Sequence, residues 1–492
     1  MTLLVISPDY ASHLLPLATL ATAWRDAGER VVVATGPATA SIVESFGYSR
    51  INLQLGRGSN PGVIRADEQP KGEDDALRGF FDATRVGMIE TLRFQAEARS
   101  TDLLFDPVEN ARRVQAVVNE VAPDQILVDH LAFGARLGLR AAGIAYADVV
   151  LGHPSALPVG DEVYGHPPAW PEAFSPSASD IAHLRSVNEN VRDEFTRQWN
   201  AALAELNDSL PPSRDAFAEV GDVLLLNYPE ALHEPERTAL LSPHVFLGSA
   251  VRAEAFDPEV DEWLLRESTP LVYVSFGSFL SERTDVLLRV VDALRDLPVR
   301  VALATGSSDP AAFADVPSGW LVRAYLPQVT LLQQAQLAVT HGGNNSVTEA
   351  ASAGVPLLVL PFSTDQFAGA RAIEVCGLGE ALDPNTATST ELRESIVRIL
   401  GGLAPAVAKA LGATLQFNPG PARAYSFVTG AEAWVRASPS ESGSEPRPGS
   451  GLEPASEFEL EPNSEADPES GWPPGLEHGP TIGTMPPTAH LP

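Results

Sequence analysis

The stretch that decides the fold covers residues 325–366, YLPQVTLLQQAQLAVTHGGNNSVTEAASAGVPLLVLPFSTDQ. Residues 337–340 are a short apolar run of β type, and Gly342 and Gly343 follow His341 as turn residues. Asn344, Asn345 and Ser346 are N-cap residue types, and a helix is expected from there to about Ala353. Such a helix start presents unpaired backbone N–H groups and the positive end of a dipole, so its natural occupant is an anion. Around it stand His341, two amides, the Ser346 hydroxyl, the Glu349 carboxylate and the Asp365-Gln366 pair. Asn345 and Glu349 are four residues apart and share one helix face. The set suits a ligand with phosphates at one end and sugar hydroxyls at the other.

The same residues carry a resemblance. Tyr325, Pro327 and Gln328, then His341, Gly343, Asn345, Ser346 and Glu349, then Gly354-Val355-Pro356, then Asp365-Gln366 keep register throughout. This resembles the donor-binding signature of inverting, nucleotide-sugar-dependent glycosyltransferases of the two-domain GT-B type. Two positions depart from it. Tyr325 stands where plant members usually carry Trp, and it can still stack on a pyrimidine. Asn344 replaces a Trp beside the sugar; an amide there leaves space and adds hydrogen bonds, so Asn344 is expected to face the sugar.

Outward from this stretch the chain alternates strand and helix, which predicts parallel sheets wrapped by helices. Strands are expected over 3–7, 30–35, 125–129, 223–227 and 244–248 in the first half. Helices are expected over 13–28, 38–46, 76–99, 107–121, 130–142 and 180–206. Residues 56–75 read as a polar, glycine-rich loop, and 151–179 as a loop rich in Pro, Gly and His. A linker spans 248–258. A second series follows, with strands at 271–276, 299–305 and 320–325 and helices at 282–297 and 389–400.

The fold class expected is therefore α/β, and the resemblance makes it GT-B: two Rossmann-like, doubly wound domains facing a cleft. Residues 1–247 form the acceptor-binding domain and 259–421 the nucleotide-sugar-binding domain. The resemblance also implies that 422–437 crosses back onto the first domain. Residues 438–492 break the composition, with twelve Pro, seven Gly, ten acidic residues and Arg447 as the one basic residue. So little apolar side chain cannot offset ordering entropy, and the tail reads as disordered, either a solubilising extension or an acidic interaction tail.

At 492 residues and 44% hydrophobic, the chain can bury two or more cores. A net charge of −31 argues against nucleic acid and anionic membrane surfaces as partners. Cys376 is the single cysteine, which suits a reducing cytoplasm, and it reads as a small buried hydrophobe rather than a nucleophile. Residues 3–6 are apolar but have no basic residues before them, so no signal peptide is expected. No apolar run approaches a membrane span, and a soluble, cytoplasmic protein is the expectation, as a monomer or homodimer.

His13 follows the first strand in S-H-L-L-P, and Asp129 ends another strand of the same expected sheet. Sites in open α/β sheets form at the carboxyl ends of strands. A carboxylate on the second nitrogen of His13 would fix its tautomer and raise its basicity. By itself the Leu-rich run after His13 also fits a capping histidine, and Asp124 and His130 lie close to Asp129. The resemblance implies that His13 is the catalytic base and Asp129 its partner. It further implies His341, Asn345, Ser346 and the helix start at the diphosphate, with Ser278 of V-S-F-G-S as a second phosphate contact. Glu349 and Gln328 would hold the ribose, and Asp365 and Gln366 the sugar hydroxyls. On their own, Ser278 is equally a turn serine and Asp365-Gln366 a solvated helix start.

No D-x-D triplet occurs, and the metal-dependent glycosyltransferases of the other main fold need one, so a metal-independent hexosyltransferase is expected. Neither a P-loop nor G-x-G-x-x-G is present, against a nucleotide hydrolase and a nicotinamide dehydrogenase. The remaining histidines show no metal-ligand spacing. No cofactor is expected beyond the co-substrate, a UDP- or dTDP-sugar. The acceptor would be a small lipophilic natural product such as a macrolide, polyketide, flavonoid or terpenoid, held by variable loops at 56–90 and 150–180. A sugar-nucleotide epimerase or a non-catalytic auxiliary protein could share the fold. The first would not need a His13/Asp129 dyad, and the second should have lost the donor residues.

Overall fold

The computed structural model describes residues 1–60, 73–102, 104–266 and 268–430. The tail expected to be disordered, and the last part of the segment expected to cross back, lie outside the described residues.

Two parallel sheets organise the chain. The first contains β1 (Thr2–Ile6), β2 (Arg30–Thr35), β3 (Ser49–Asn52), β4 (Gln125–Asp129), β5 (Ala147–Val150), β6 (Val223–Leu226) and β7 (His244–Phe246), in the order β3-β2-β1-β4-β5-β6-β7. The second contains β8 (Leu271–Ser275), β9 (Arg300–Ala304), β10 (Leu321–Arg323), β11 (Ala335–Thr340), β12 (Leu357–Val359) and β13 (Gly379–Ala381), in the order β10-β9-β8-β11-β12-β13. Their central strands are continuous apolar runs because helices cover both faces. Each sheet reverses its strand order once, between β1 and β4 in the first and between β8 and β11 in the second. In open α/β sheets the crevice at that reversal is where ligands bind.

Several elements differ from the sequence expectation. β3, β5, β12 and β13 were not anticipated: each has three or four residues, too few for a periodic signal, and β3 is a mostly exposed edge. The helix expected over 13–28 is two helices, Ala11–Leu20 and Thr22–Asp26, joined at Ala21. The one expected over 76–99 is also two, Glu73–Val86 and Met88–Asp102. They part at Gly87, whose φ of 139° a side chain would not tolerate. Asn344, Asn345 and Ser346 do not cap their helix. Gly343 holds the cap position without a side-chain bond, and the three residues form the first turn.

Packing and hydrogen bonds bind the halves together away from the sheet reversals. The helix Gly420–Gly430 packs Ala424 and Val428 into the core around Leu14, Trp24 and Val33. On the same helix, Tyr425 meets Trp24 edge-on and donates to Glu29 at 2.8 Å. From the first half, Phe80 and Phe81 on Glu73–Val86 enter the core of the second, among Phe276, Leu280 and Phe362. Buried Arg283 and the Asn385 amide both donate to the Thr84 carbonyl at the end of that helix. Among the described residues no single helix is long and apolar enough to cross a membrane.

Candidate active site

His13 sits in the first turn of Ala11–Leu20, just beyond β1, and Asp129 is the last residue of β4. β1 and β4 are hydrogen-bonded neighbours, so the two side chains emerge side by side at the reversal of the first sheet. His13 Nδ1 lies 2.7 Å from Asp129 Oδ2. The other carboxylate oxygen accepts from the Leu131 amide at 2.8 Å, which fixes the direction of the group. Asp129 is buried, whereas 27% of the His13 side chain is accessible. Burial pulls the imidazole down. The charge and hydrogen bond of Asp129, helped by Asp365, overcome it and hold His13 above its ordinary value. A histidine bound through Nδ1 keeps Nε2 for chemistry.

Asp124 bonds the Thr2 amide instead, and His130 turns into the core. There His130 Nδ1 meets Asp148 at 3.0 Å, beside the buried Arg136 guanidinium. The rivals to Asp129 therefore have structural partners of their own.

The reversal of the second sheet brings together the residue after β11, His341, and the turn after β8, Gly277–Leu280. His341 is half-buried; desolvation, opposed by the Ser275 backbone, pushes it down to about 4, so its ring is neutral rather than positively charged. Glycines shape its surroundings. A Cβ on Gly343 would overlap the ring at Nε2, and one on Gly277 would lie 3.0 Å from Cε1. Ser278 lies in the short turn Gly277–Leu280.

Glu349, on the helix Asn344–Ala353, accepts from Gln328 Nε2 at 2.6 Å and from Arg252 Nη1. The Tyr273 hydroxyl completes the set by donating to Gln328 Oε1 at 3.3 Å. Burial raises the Glu349 carboxyl, opposed by Arg252 and Gln328. The pairing of Gln328 with Glu349 joins two residues singled out from the sequence. Arg252, in the linker, was not anticipated, because an isolated arginine in V-R-A-E carries no pattern. Tyr325 is 65% exposed at the edge of the same region.

Four other residues expected at the donor engage the protein itself. Asn344 Nδ2 donates to the Leu151 carbonyl at 2.6 Å and to the Asn227 carbonyl at 3.0 Å, beyond the ends of β5 and β6. It bridges the two halves, which corrects the expectation that it stands free beside a sugar. Gln366 Oε1 accepts from the Phe362 and Ser363 amides, and its Nε2 donates to Ser363 Oγ, so its side chain braces its own turn. Asp365 crosses to the first half, where Oδ2 accepts from the His153 amide at 2.7 Å. Asn345 reaches Ser12, the neighbour of His13, and Ser346 stays half-buried in the first turn.

Cys376 is half-buried rather than buried. Its thiol donates to the Ala231 carbonyl, and burial keeps its pKa high.

With this geometry in place, similarity to known proteins is decisive. Residues 189–403 match the family described as "UDP-glucoronosyl and UDP-glucosyl transferase". The NDP-glycosyltransferase YjiC of Bacillus licheniformis is 30% identical over 338 residues, which cover 68% of this chain and 78% of that protein. The chain belongs to the nucleotide-sugar glycosyltransferases. It is an enzyme of that family, and solved structures show the same GT-B fold. The glycosyltransferase of kitacinnamycin superposes with a TM-score of 0.62 at 20% identity, covering 88% of this chain and 98% of that one. The glycosyltransferase VinC, in complex with dTDP, superposes with a TM-score of 0.61 at 18% identity, covering 89% and 100%. In this glycosyltransferase the two sheet reversals face each other, His13 and Asp129 on one side and His341 on the other.

Proposed function

We propose that the enzyme transfers a hexosyl group from a UDP- or dTDP-sugar to a hydroxyl of a small lipophilic acceptor, with inversion at the anomeric carbon. The acceptor class is that of macrolides, polyketides, flavonoids or terpenoids. One observation carries the reading: the 2.7 Å pair between His13 Nδ1 and the buried Asp129 carboxylate. It leaves a partly accessible imidazole of raised basicity at the mouth of the first sheet, opposite the glycine turn of the second.

In this mechanism the acceptor oxygen attacks the anomeric carbon from the face opposite the nucleotide. Its proton passes to His13 Nε2 as the C–O bond forms, and Asp129 stabilises the imidazolium. The bond from the anomeric carbon to the diphosphate breaks, and the electron pair leaves with the nucleotide. Attack from the opposite face gives the inverted anomer. Negative charge growing on the diphosphate meets the N–H groups opening Asn344–Ala353, with Asn345, Ser346, the neutral His341 and Ser278 as further donors. Tyr325 stacks on the base, Gln328 and Glu349 take the ribose, and Asp365 the sugar hydroxyls, with Gln366 bracing the turn that carries it. No metal is invoked, because the D-x-D triplet that would bind one is missing from the sequence. The dTDP held by VinC is a reason to keep deoxythymidine donors beside uridine ones.

The test is nucleotide release from UDP- and dTDP-sugars with and without a panel of lipophilic alcohols, and NMR of the product anomer. Release only with acceptor, giving the inverted anomer, is expected. Retention of configuration, or equal release with no acceptor, would sink the reading.

A further inference from the structure

The linker between the halves is fastened on either side of Phe256. Glu254 Oε2 accepts from the Thr330 amide and hydroxyl at 3.0 and 3.1 Å, and Asp257 Oδ2 pairs with Arg323 at 2.8 Å. Between these anchors Phe256 is held out with 77% of its surface exposed, an unusual state for a large aromatic. It lines a cavity of about 640 Å³ together with Tyr325, Arg252 and Arg323 from its own side and Leu15 and Phe46 from the first half. Two exposed aromatic rings, Phe256 and Tyr325, thus share one cavity. Arg252, in the same wall, pairs with Glu254 at 2.9 Å and with Glu349.

We infer that the linker is a second wall of the nucleoside pocket, in which Phe256 contacts the base and Arg252 positions the Glu349 carboxylate for the ribose. The inference rests on the donor-site reading above. An aromatic face exposed to water gains by stacking on any base, whatever its sequence of polar groups. Arg252 acts through Glu349. A carboxylate offers only acceptors, so it can take both hydrogens of a ribose diol, while a protonated carboxyl loses one of those places. Burial drives Glu349 toward the protonated form, and the neighbouring Glu254 adds to that drive. Arg252 from the linker and Gln328 from the helix Gln328–Leu332 oppose it, and Tyr273 of β8 completes the surroundings through Gln328. Removing the guanidinium therefore makes ribose binding sensitive to pH.

The experiment is calorimetric titration of the full chain with UDP and with ribose 5-diphosphate, which lacks the base. The variants are Phe256→Ala, Arg252→Gln and, as a reference for the donor site, Tyr325→Ala. Phe256→Ala should bind UDP about tenfold more weakly, the order of a lost base–aromatic stack, and ribose 5-diphosphate like the parent. Arg252→Gln should lose UDP affinity relative to the parent, with the gap widening as pH falls, because burial still favours the protonated Glu349 carboxyl and the opposing guanidinium is gone. The parent at each pH accounts for titration of the nucleotide itself. If Tyr325→Ala loses UDP while both linker variants match the parent, the linker inference is wrong and the donor site stands. Equal losses of UDP and ribose 5-diphosphate in Phe256→Ala also overturn it, since the ring is then not on the base. If the parent binds no nucleotide, or Tyr325→Ala binds like the parent, the donor-site reading fails first. Phe256 is exposed, so its variant keeps the question answerable even if Arg252→Gln folds poorly.

Discussion

Asn345 Nδ2 donates to the Ser12 carbonyl at 3.1 Å, which joins the first turn of the donor-side helix to the residue preceding His13. The halves therefore meet where the start of that helix approaches the histidine–carboxylate pair. Asn344, one residue earlier, and Asp365 hold the same closed arrangement through the Leu151, Asn227 and His153 backbone.

The two histidines should separate cleanly. His13→Ala removes the base and should lower turnover by about 10² to 10⁴, with UDP affinity unchanged. His341→Ala removes a neutral donor beside the diphosphate and should weaken UDP by about 1 kcal/mol. Calorimetry beside turnover measures both, and the opposite assignment of losses would mean the site has been read backwards.

The pH profile follows from Asp129. His13 stands above its ordinary value, and in the proposed mechanism the unprotonated form accepts the acceptor's proton. The rate should thus fall as pH drops through that raised value. In Asp129→Asn the charge that raises it is gone while burial still lowers it, so the acid limb should move to lower pH and the plateau should drop. An acid limb that stays in place in Asp129→Asn would show that Asp129 does not tune the base.

Gly343 is expected to admit no side chain. A methyl there overlaps the His341 ring, so Gly343→Ala should turn the imidazole aside and weaken UDP as His341→Ala does. The double variant should be no worse than either single one, because one interaction is being removed twice. Additive losses would separate the two residues.

Asn344→Ala should act on stability. It strips two backbone carbonyls of a shared donor, at a cost of about 1–3 kcal/mol, and should lower the melting temperature by a few degrees. The ranking of sugar donors should be unchanged. A changed ranking with unchanged stability would put this amide back beside the sugar.

The sequence by itself determined the alternation of strands and helices, the glycine turn after β11 and the family to which the chain belongs. Those features are local. Apolar runs, glycine pairs and amide-rich helix starts act over a few residues, so they survive in a linear reading. It also named His13 and Asp129 separately, but left Asp124 and His130 as rivals. Tertiary structure chose among them, because the pairing of β1 with β4 brings together residues 116 apart in sequence and turns only Asp129 toward the histidine. The direction of Asn344 was likewise out of reach. An amide at a helix start can serve a ligand or a distant carbonyl, and only the approach of β5 and β6 decides which. Arg252 was invisible for the same reason: its partner Glu349 is 97 residues away, on an element that meets the linker only in the folded chain. Side-chain chemistry was written along the chain, and the partners were set by how two sheets, each with one reversal, come to face each other.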